Sequence, residues 1–507
     1  MNMPDRRASD EDISTRLDKT MLAMPLIDAM KAAKKAMGEE AGQKQTFEVI
    51  IDLNLLFAQG NGIDSARAKA IKLIKKVCKE VDSEVKGPFI DLDKSRYVYQ
   101  HLFATLTGNQ ICSLIRRCDG SLRGEQARPI YKIWVDDDVK PFLGESVRTI
   151  KADAALVSYA ASGEGSCWAV IDSGIDGQHP HFQKHGNLKL DKPLHHADFS
   201  GGKSRILPRS AVPEDDNGHG THVAGIIAGE QDGEVNVVTR HRDEAGDQTY
   251  ESWTQNGIRG VAPQCKLVSL KVLDDAGHGK VSNLIAALGY VNHVNNHGRW
   301  RVIHGVNMSV GYEFDAEWFA CGQSPLCVEV DRLVRTGVPV VVAAGNTGSG
   351  YVSSQAMGAF KAGLDLTIND PGNAERAITV GATHRQHPHT YGVSYFSSKG
   401  PTGDGRLKPD LVAPGERIIS CAAGREKAAI LNKEGVTSCD YREESGTSMA
   451  APHVSGAIAA FLSIRKEFIG EPDKVKEVFL SSCTDLGRDK YFQGHGLLDL
   501  MRAIQSI

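Results

Sequence analysis

Aromatic residues supply only 6% of this 507-residue chain. No run of about eighteen apolar residues occurs, so a membrane-spanning helix is not expected. Met1 to Thr20 is rich in Asp, Arg and Ser and holds no apolar core of signal-peptide length, which argues against export and for a cytoplasmic protein. Charge is nearly balanced, at −4, so no global field draws the chain toward nucleic acid. The basic stretch Lys69 to Lys79 is interleaved with apolar residues and reads as the wet face of a helix. Ten cysteines lack the spacing of a zinc site. Cys321 with Cys327, and Cys421 with Cys439, could close loops in an oxidising compartment; without an export signal, reduced thiols are expected.

What is present is a chain too long for one ordinary domain. In its first third, Phe47 to Leu53 and Tyr97 to Leu106 read as strands, as does Ile130 to Val135. Between them, Asp64 or Ser65 can cap a helix through Ala66, Ala70, Leu73, Val77 and Val81, and Asn109 to Cys118 is a short amphipathic helix. That order suits a small α+β unit with helices on one sheet face. Met21 to Met37 reads as a helix ahead of it. From about Cys167 the pattern changes. Continuous apolar runs at Trp168 to Ile171, Leu267 to Leu273, Gly337 to Ala344 and Ala377 to Val380 alternate with helical stretches such as Ser282 to Val294 and His453 to Lys466. Strands buried on both faces and separated by helices predict an α/β fold with a mostly parallel, doubly wound sheet. Functional groups belong at the carboxyl ends of such strands. Glu230 to Gly257 is polar and without periodicity, so a surface loop is expected there.

Four segments carry chemistry at those positions. Asp172 follows the strand Ala169 to Ile171. His219 lies in Asn217-Gly218-His219-Gly220-Thr221-His222, where glycines let a helix start pack closely. Ser448 opens the helix containing His453, after Gly446, which permits a strained turn. Asn346 follows the run Val342 to Gly345. A nucleophile, a base, an anion to hold the base and a donor for an oxyanion are what acyl transfer needs. Singly, each has a plainer reading: an Asp after a strand caps a loop, and Ser or Thr before an apolar run caps a helix. Together, with these neighbours, they are specific.

The segments Val170 to Asp176, Asn217 to Gly225, Asn307 to Gly311, Ala343 to Gly348 and Gly446 to Gly456 resemble the signature blocks of the subtilisin-like serine peptidases. The similarity runs from about Val147 to Ser506. The chain order Asp, His, Ser is subtilisin's own and is recognised here rather than predicted. The resemblance implies a serine endopeptidase in which Ser448 is the nucleophile, His219 the base and Asp172 its orienting anion. Asn346 would donate to the oxyanion with the Ser448 backbone N–H. His222, His453 and Asp176 match structural positions. Ser309-Val310-Gly311 and Ala343-Ala344-Gly345 would wall the pocket for the side chain before the scissile bond, and Gly277-His278-Gly279 would pair with a protein or peptide substrate bound as an extended strand.

Two further expectations follow from the resemblance. Family members that bind calcium carry an Asp in a His-Pro-Asp context; here it reads His179-Pro180-His181, so no cofactor is required and the usual calcium ligand pattern is not matched. The N-terminal pattern resembles the subtilisin propeptide, a ferredoxin-like domain. It divides the chain into a polar and helical extension (1–45), a propeptide-like domain (46–143) and the catalytic domain (144–507). The middle domain would act as intramolecular inhibitor, with a linker from Asp138 to Gly144 that Ser448 could cut after Val139, Lys140 or Leu143. Neither nucleic acid nor a membrane is an expected partner.

Overall fold

A computed structural model of the chain describes residues 21–57, 62–85, 89–92, 94–96, 98–118, 128–136, 145–201, 204–242, 248–315, 320–354 and 358–507. The chain divides into two compact units, Met1–Lys140 and Pro141–Ile507. The linker from Asp138 to Gly144 lies outside the described residues.

In the first unit, β1 (Thr46–Leu53), β2 (Ile90–Asp91), β3 (His101–Thr107) and β4 (Ile130–Val135) form an antiparallel sheet in the order β2-β3-β1-β4. Period-two alternation turns Phe47, Val49, Ile51 and Leu53 inward. They share one core with α1 (Met24–Met37), α2 (Ile63–Glu80) and α3 (Gly108–Cys118). Leu22, Leu26 and Met30, assigned to an extension by sequence, thus join the core of the sheet. Neither Asp64 nor Ser65 caps α2. Its N-cap is Gly62 at φ +62°, a left-handed conformation that glycine adopts without a Cβ penalty, and Asp64 sits in the first turn.

The second unit holds an eight-stranded sheet in the order β16-β15-β12-β11-β5-β10-β6-β7. Its strands are β5 (Cys167–Asp172), β6 (Ala197–Asp198), β7 (Arg205–Ile206), β10 (Lys266–Lys271), β11 (Gly305–Met308), β12 (Val340–Ala343), β15 (Ile378–His384) and β16 (Leu411–Glu416). All neighbours run parallel except β6 and β7. Every residue of β5 is buried. Trp168 and Val170 enter one core with α4 (His219–Ile227) and α7 (Thr447–Ile464), whereas Cys167, Ala169 and Ile171 enter another with α5 (Val281–Val294) and α6 (Pro325–Arg335). Helices therefore cover both faces, and the fold is doubly wound. On β11, Gly305 has no room for a side chain: a Cβ there would lie 2.1 Å from the Trp168 ring. After β5 the chain pairs first on one side, as β10, and then on the other, as β11. This reversal leaves a crevice at the carboxyl end of β5.

One sequence expectation needs correction. Residues Glu230 to Gly257 are not a loop but most of a long antiparallel hairpin, β8 (Glu230–Arg242) and β9 (Gln248–Arg259). It is anchored by parallel pairing of β8 with β18 (Tyr441–Glu444), itself paired with β17 (Ile418–Cys421), and by Val235 and Val237 in the main core. The helix carrying Ser448, α7, is long and apolar enough to cross a membrane by length and composition alone, although 83% of that stretch is buried inside the unit as its core helix.

Candidate active site

Asp172 ends β5 and is entirely buried. Its Oδ1 accepts the Ser173 N–H at 2.8 Å and lies 2.7 Å from Nδ1 of His219, the first residue of α4. The helix can come this close because position 220 is glycine: a Cβ there would fall 2.2 Å from the Gly174 carbonyl oxygen. Asp215, a residue the sequence analysis passed over, fixes the approach. Its Oδ1 accepts from the Ser173 hydroxyl and the Gly218 N–H, and its Oδ2 from the Thr221 N–H and hydroxyl, all at 2.6 to 2.9 Å. One buried carboxylate thereby ties the turn after β5 to the start of α4. An acidic residue just ahead of a helix start was the available signal.

His219 is partly exposed at the surface of this crevice. Burial pushes its imidazole down, and the adjacent Asp172 charge and hydrogen bond outweigh that, leaving its pKa above the ordinary value. His222 and His453 are different. Both are buried, and burial pushes His222 well below its ordinary pKa and His453 down to about 4. His222 Nε2 meets the Arg442 carbonyl at 3.2 Å, and His453 Nδ1 the Met449 carbonyl at 2.8 Å. They hold backbone rather than one another or Ser448.

Ser448 is the second residue of α7. Its hydroxyl donates to the Ser309 carbonyl at 2.9 Å, and the Ser309 hydroxyl donates back to the Ser448 carbonyl at 2.8 Å. Asn307 extends the network, donating to Ser309 Oγ and accepting from Ser455 further along α7. The start of α7 is thus bolted to the end of β11. Among the described residues, no hydrogen bond joins Ser448 Oγ to His219. Gly446 is not strained as expected: its φ of 169° is extended backbone open to any residue. Glycine matters there through space, since a Cβ would sit 3.3 Å from Asn346 Nδ2.

Asn346 follows β12, and its Oδ1 is held by the Thr447 N–H at 2.9 Å and the Thr447 hydroxyl at 3.1 Å. The same hydroxyl accepts the Gly345 N–H at 3.1 Å. Thr447, by sequence a helix-capping residue, thus ties Asn346 and Gly345 to the start of α7. With Oδ1 engaged, the amide Nδ2 is presented beside Gly446 at the start of α7. Ser309-Val310-Gly311 and Ala343-Ala344-Gly345 leave the sheet at the ends of the adjacent strands β11 and β12. Gly277-His278-Gly279 lies in a turn closed by Asp274, with His278 and Gly279 exposed. Beyond the pocket, Thr347 to Ile368 contains a second hairpin, β13 (Ser349–Ser354) with β14 (Gly358–Gly363).

His181, in the His179-Pro180-His181 segment, is buried between the Tyr441 hydroxyl at 3.1 Å and the Gly225 carbonyl at 3.2 Å, and burial pushes its pKa down to about 3. Glu230 and Asp232, at the base of the β8–β9 hairpin, are committed to Lys184, with His185 also on Glu230. Among the described residues, no three His, Cys, Asp or Glu converge as a metal site. Neither pair of cysteines that could close a loop is bridged: Cys321, Cys327, Cys421 and Cys439 are separate buried thiols.

Residues 163–496 match the Subtilase family. Serine protease AprX of Bacillus subtilis is 29% identical over 394 residues, covering 76% of this chain and 74% of that protein. Subtilisin E of the same organism is 30% identical over 359 residues, 71% of this chain and 70% of the relative. Pyrolysin of Pyrococcus furiosus is 30% identical over 338 residues, 57% of this chain but 21% of the relative. A catalytic-type crevice at the switch of a doubly wound sheet and a family match over most of the second unit lead to one conclusion: the chain belongs to the Subtilase family and is a subtilisin-like serine endopeptidase.

Proposed function

We propose that Ser448, His219 and Asp172 cleave the peptide bond, with Asn346 and the Ser448 N–H as oxyanion donors. The observation that carries this reading is His219 Nδ1 at 2.7 Å from a buried Asp172 at the end of β5, with Ser448 and Asn346 held just past the ends of the neighbouring strands β11 and β12. Asp172 fixes the tautomer with the proton on Nδ1, which leaves Nε2 as base. Substrate binding turns the Ser448 hydroxyl from the Ser309 carbonyl to Nε2. As Oγ attacks the carbonyl carbon, its proton passes to His219, and Asp172 stabilises the imidazolium. Negative charge gathers on the carbonyl oxygen, where the Asn346 Nδ2 and the Ser448 N–H at the positive end of α7 receive it. His219 then returns the proton to the leaving amine, and water repeats the sequence on the acyl-enzyme. No step calls for a metal.

The substrate lies as an extended strand against Gly277-His278-Gly279, with its side chain before the scissile bond between Ser309-Val310-Gly311 and Ala343-Ala344-Gly345. The first unit serves as intramolecular inhibitor; its support is a four-stranded antiparallel sheet and helices sharing one core, an element order like that of the propeptide. The separate buried thiols support a cytoplasmic location. Intact mass of the wild type beside Ser448→Ala, with fluorophosphonate labelling, tests the whole reading. Loss of the N-terminal unit and labelling in the wild type alone are expected. A wild type that neither labels nor digests casein would refute it.

A further inference from the structure

Next to Asn346 and Ser445 opens a cavity of about 630 Å³ that none of the residues assigned to the substrate's first half lines. It is walled instead by Arg240 and His241 from the β8–β9 hairpin, Lys361 from the β13–β14 hairpin, Tyr395 and Phe396, and Glu416, Arg417 and Glu443. Its volume is ample for a polar side chain and its backbone.

The charges in this wall are unequally committed. Glu443 is held by Arg417 Nε at 3.1 Å and by Arg385 at 3.4 Å, and Arg385 also pairs with Glu145 at 3.0 Å. Glu416 accepts the Ser394 hydroxyl at 2.7 Å. His241 lies 3.4 Å from Glu251. Among the described residues, Arg240 and Lys361 have no carboxylate within 4.0 Å. Lys361 lies 4.5 Å over the Tyr395 ring, and Arg240 is exposed. Burial holds the Arg442 guanidinium below its ordinary pKa, and the Arg240 charge adds a smaller push in the same direction. The two hairpins therefore bring two cations without a carboxylate partner beside Asn346, and with Arg417 balanced by Glu443 and Glu416 bound only to a hydroxyl, the wall keeps a net positive charge.

We propose that this cavity receives an acidic side chain from the first three residues after the scissile bond, with Arg240 and Lys361 as its specificity-determining residues. The inference rests on the catalytic assignment above. A carbonyl oxygen placed at Asn346 puts the scissile bond at the cavity's mouth, and the walls of the first half lie elsewhere, so the leaving half enters it. A carboxylate there gains two partners, while a lysine meets like charge, and repulsion discriminates as much as attraction does.

Matched peptides carrying Glu, Ala or Lys at each of the first three positions after one cleaved bond provide the test. The reading is the Glu-to-Lys ratio of kcat/KM within each protein, so that any general loss in a variant cancels. At low salt, the wild type should favour Glu roughly tenfold at one position, the scale of two partly screened charge contacts. Arg240→Ala/Lys361→Ala should bring the ratio near one, and Arg240→Glu/Lys361→Glu should invert it. Equal cleavage of the Glu and Lys peptides by the wild type, or a preference that survives the double alanine variant, would overturn the inference and leave the peptidase assignment standing. Failure of the wild type to cleave any peptide or to label with a fluorophosphonate would overturn both.

Discussion

The Thr447 hydroxyl holds the Asn346 side chain, whose amide is the proposed oxyanion donor. Thr447→Val keeps the shape of this buried side chain and deletes two contacts: the bond to Asn346 Oδ1 and the acceptor for the Gly345 N–H. A neutral hydrogen bond is worth about 0.5–1.5 kcal/mol net, and Asn346 keeps the Thr447 N–H as anchor, so about 1–2 kcal/mol should be lost. At about 1.4 kcal/mol per decade, that is roughly 5–30-fold in kcat. The contact matters only when charge develops on the oxygen, so KM should stay within about twofold and kcat/KM should fall with kcat. Steady-state hydrolysis of a peptide p-nitroanilide reads both constants. A cycle with Asn346→Leu separates positioning from general damage. Removing the amide itself should cost about 10²–10³, the scale already known for this donor in subtilisin, and Thr447→Val should then add little. A full Thr447→Val penalty in the Asn346→Leu background, or one confined to KM, would refute the argument.

Asp172→Asn should lower kcat by about 10⁴ without unfolding the domain, because an amide no longer enforces the tautomer with Nε2 free; retained activity would dismiss Asp172. The pH profile should respond to Arg442. Its buried guanidinium, paired with Glu426 and Glu444, opposes the carboxylates of Asp172 and Asp215 in setting the His219 pKa. His219 must be neutral to accept a proton, so Arg442→Met, by letting its pKa rise, should move the acidic limb of kcat/KM to higher pH; an unmoved or lowered limb contradicts this. Gly305→Ala would drive a methyl into the Trp168 ring and should cost about 3 kcal/mol by overpacking, read as a lower urea midpoint.

How much of this was legible in the sequence varied with the kind of signal. Both-face burial of β5 wrote itself as the continuous run Trp168 to Ile171, and the glycines around His219 marked a close approach that the structure places at Gly220. The β8–β9 hairpin was illegible because only a few of its residues, Val235 and Val237 foremost, face the core, and a register shift between Gln231 and Glu234 breaks the alternation. The network around the candidate triad was also hidden. Thr447 acts through Asn346 and Gly345, about a hundred residues earlier, and Asp215 reaches back to Ser173, and no spacing announces such contacts. Motifs named Ser448 but not where its hydroxyl points, which depends on a carbonyl 139 residues earlier.

The helix that carries Ser448 in its first turn is also the spine of its domain, buried from Met449 through Leu462. Segments with that much burial open only when the whole unit does. The enzyme therefore has no cheap way to disarm by fraying locally at its nucleophile. Backbone amides along this helix should exchange with solvent at the rate of global unfolding. Any copy still folded should remain armed, and its nearest digestible neighbour in a heated sample is an unfolded copy of itself. Thermal inactivation should accordingly accelerate with protein concentration, and the acceleration should vanish in Ser448→Ala.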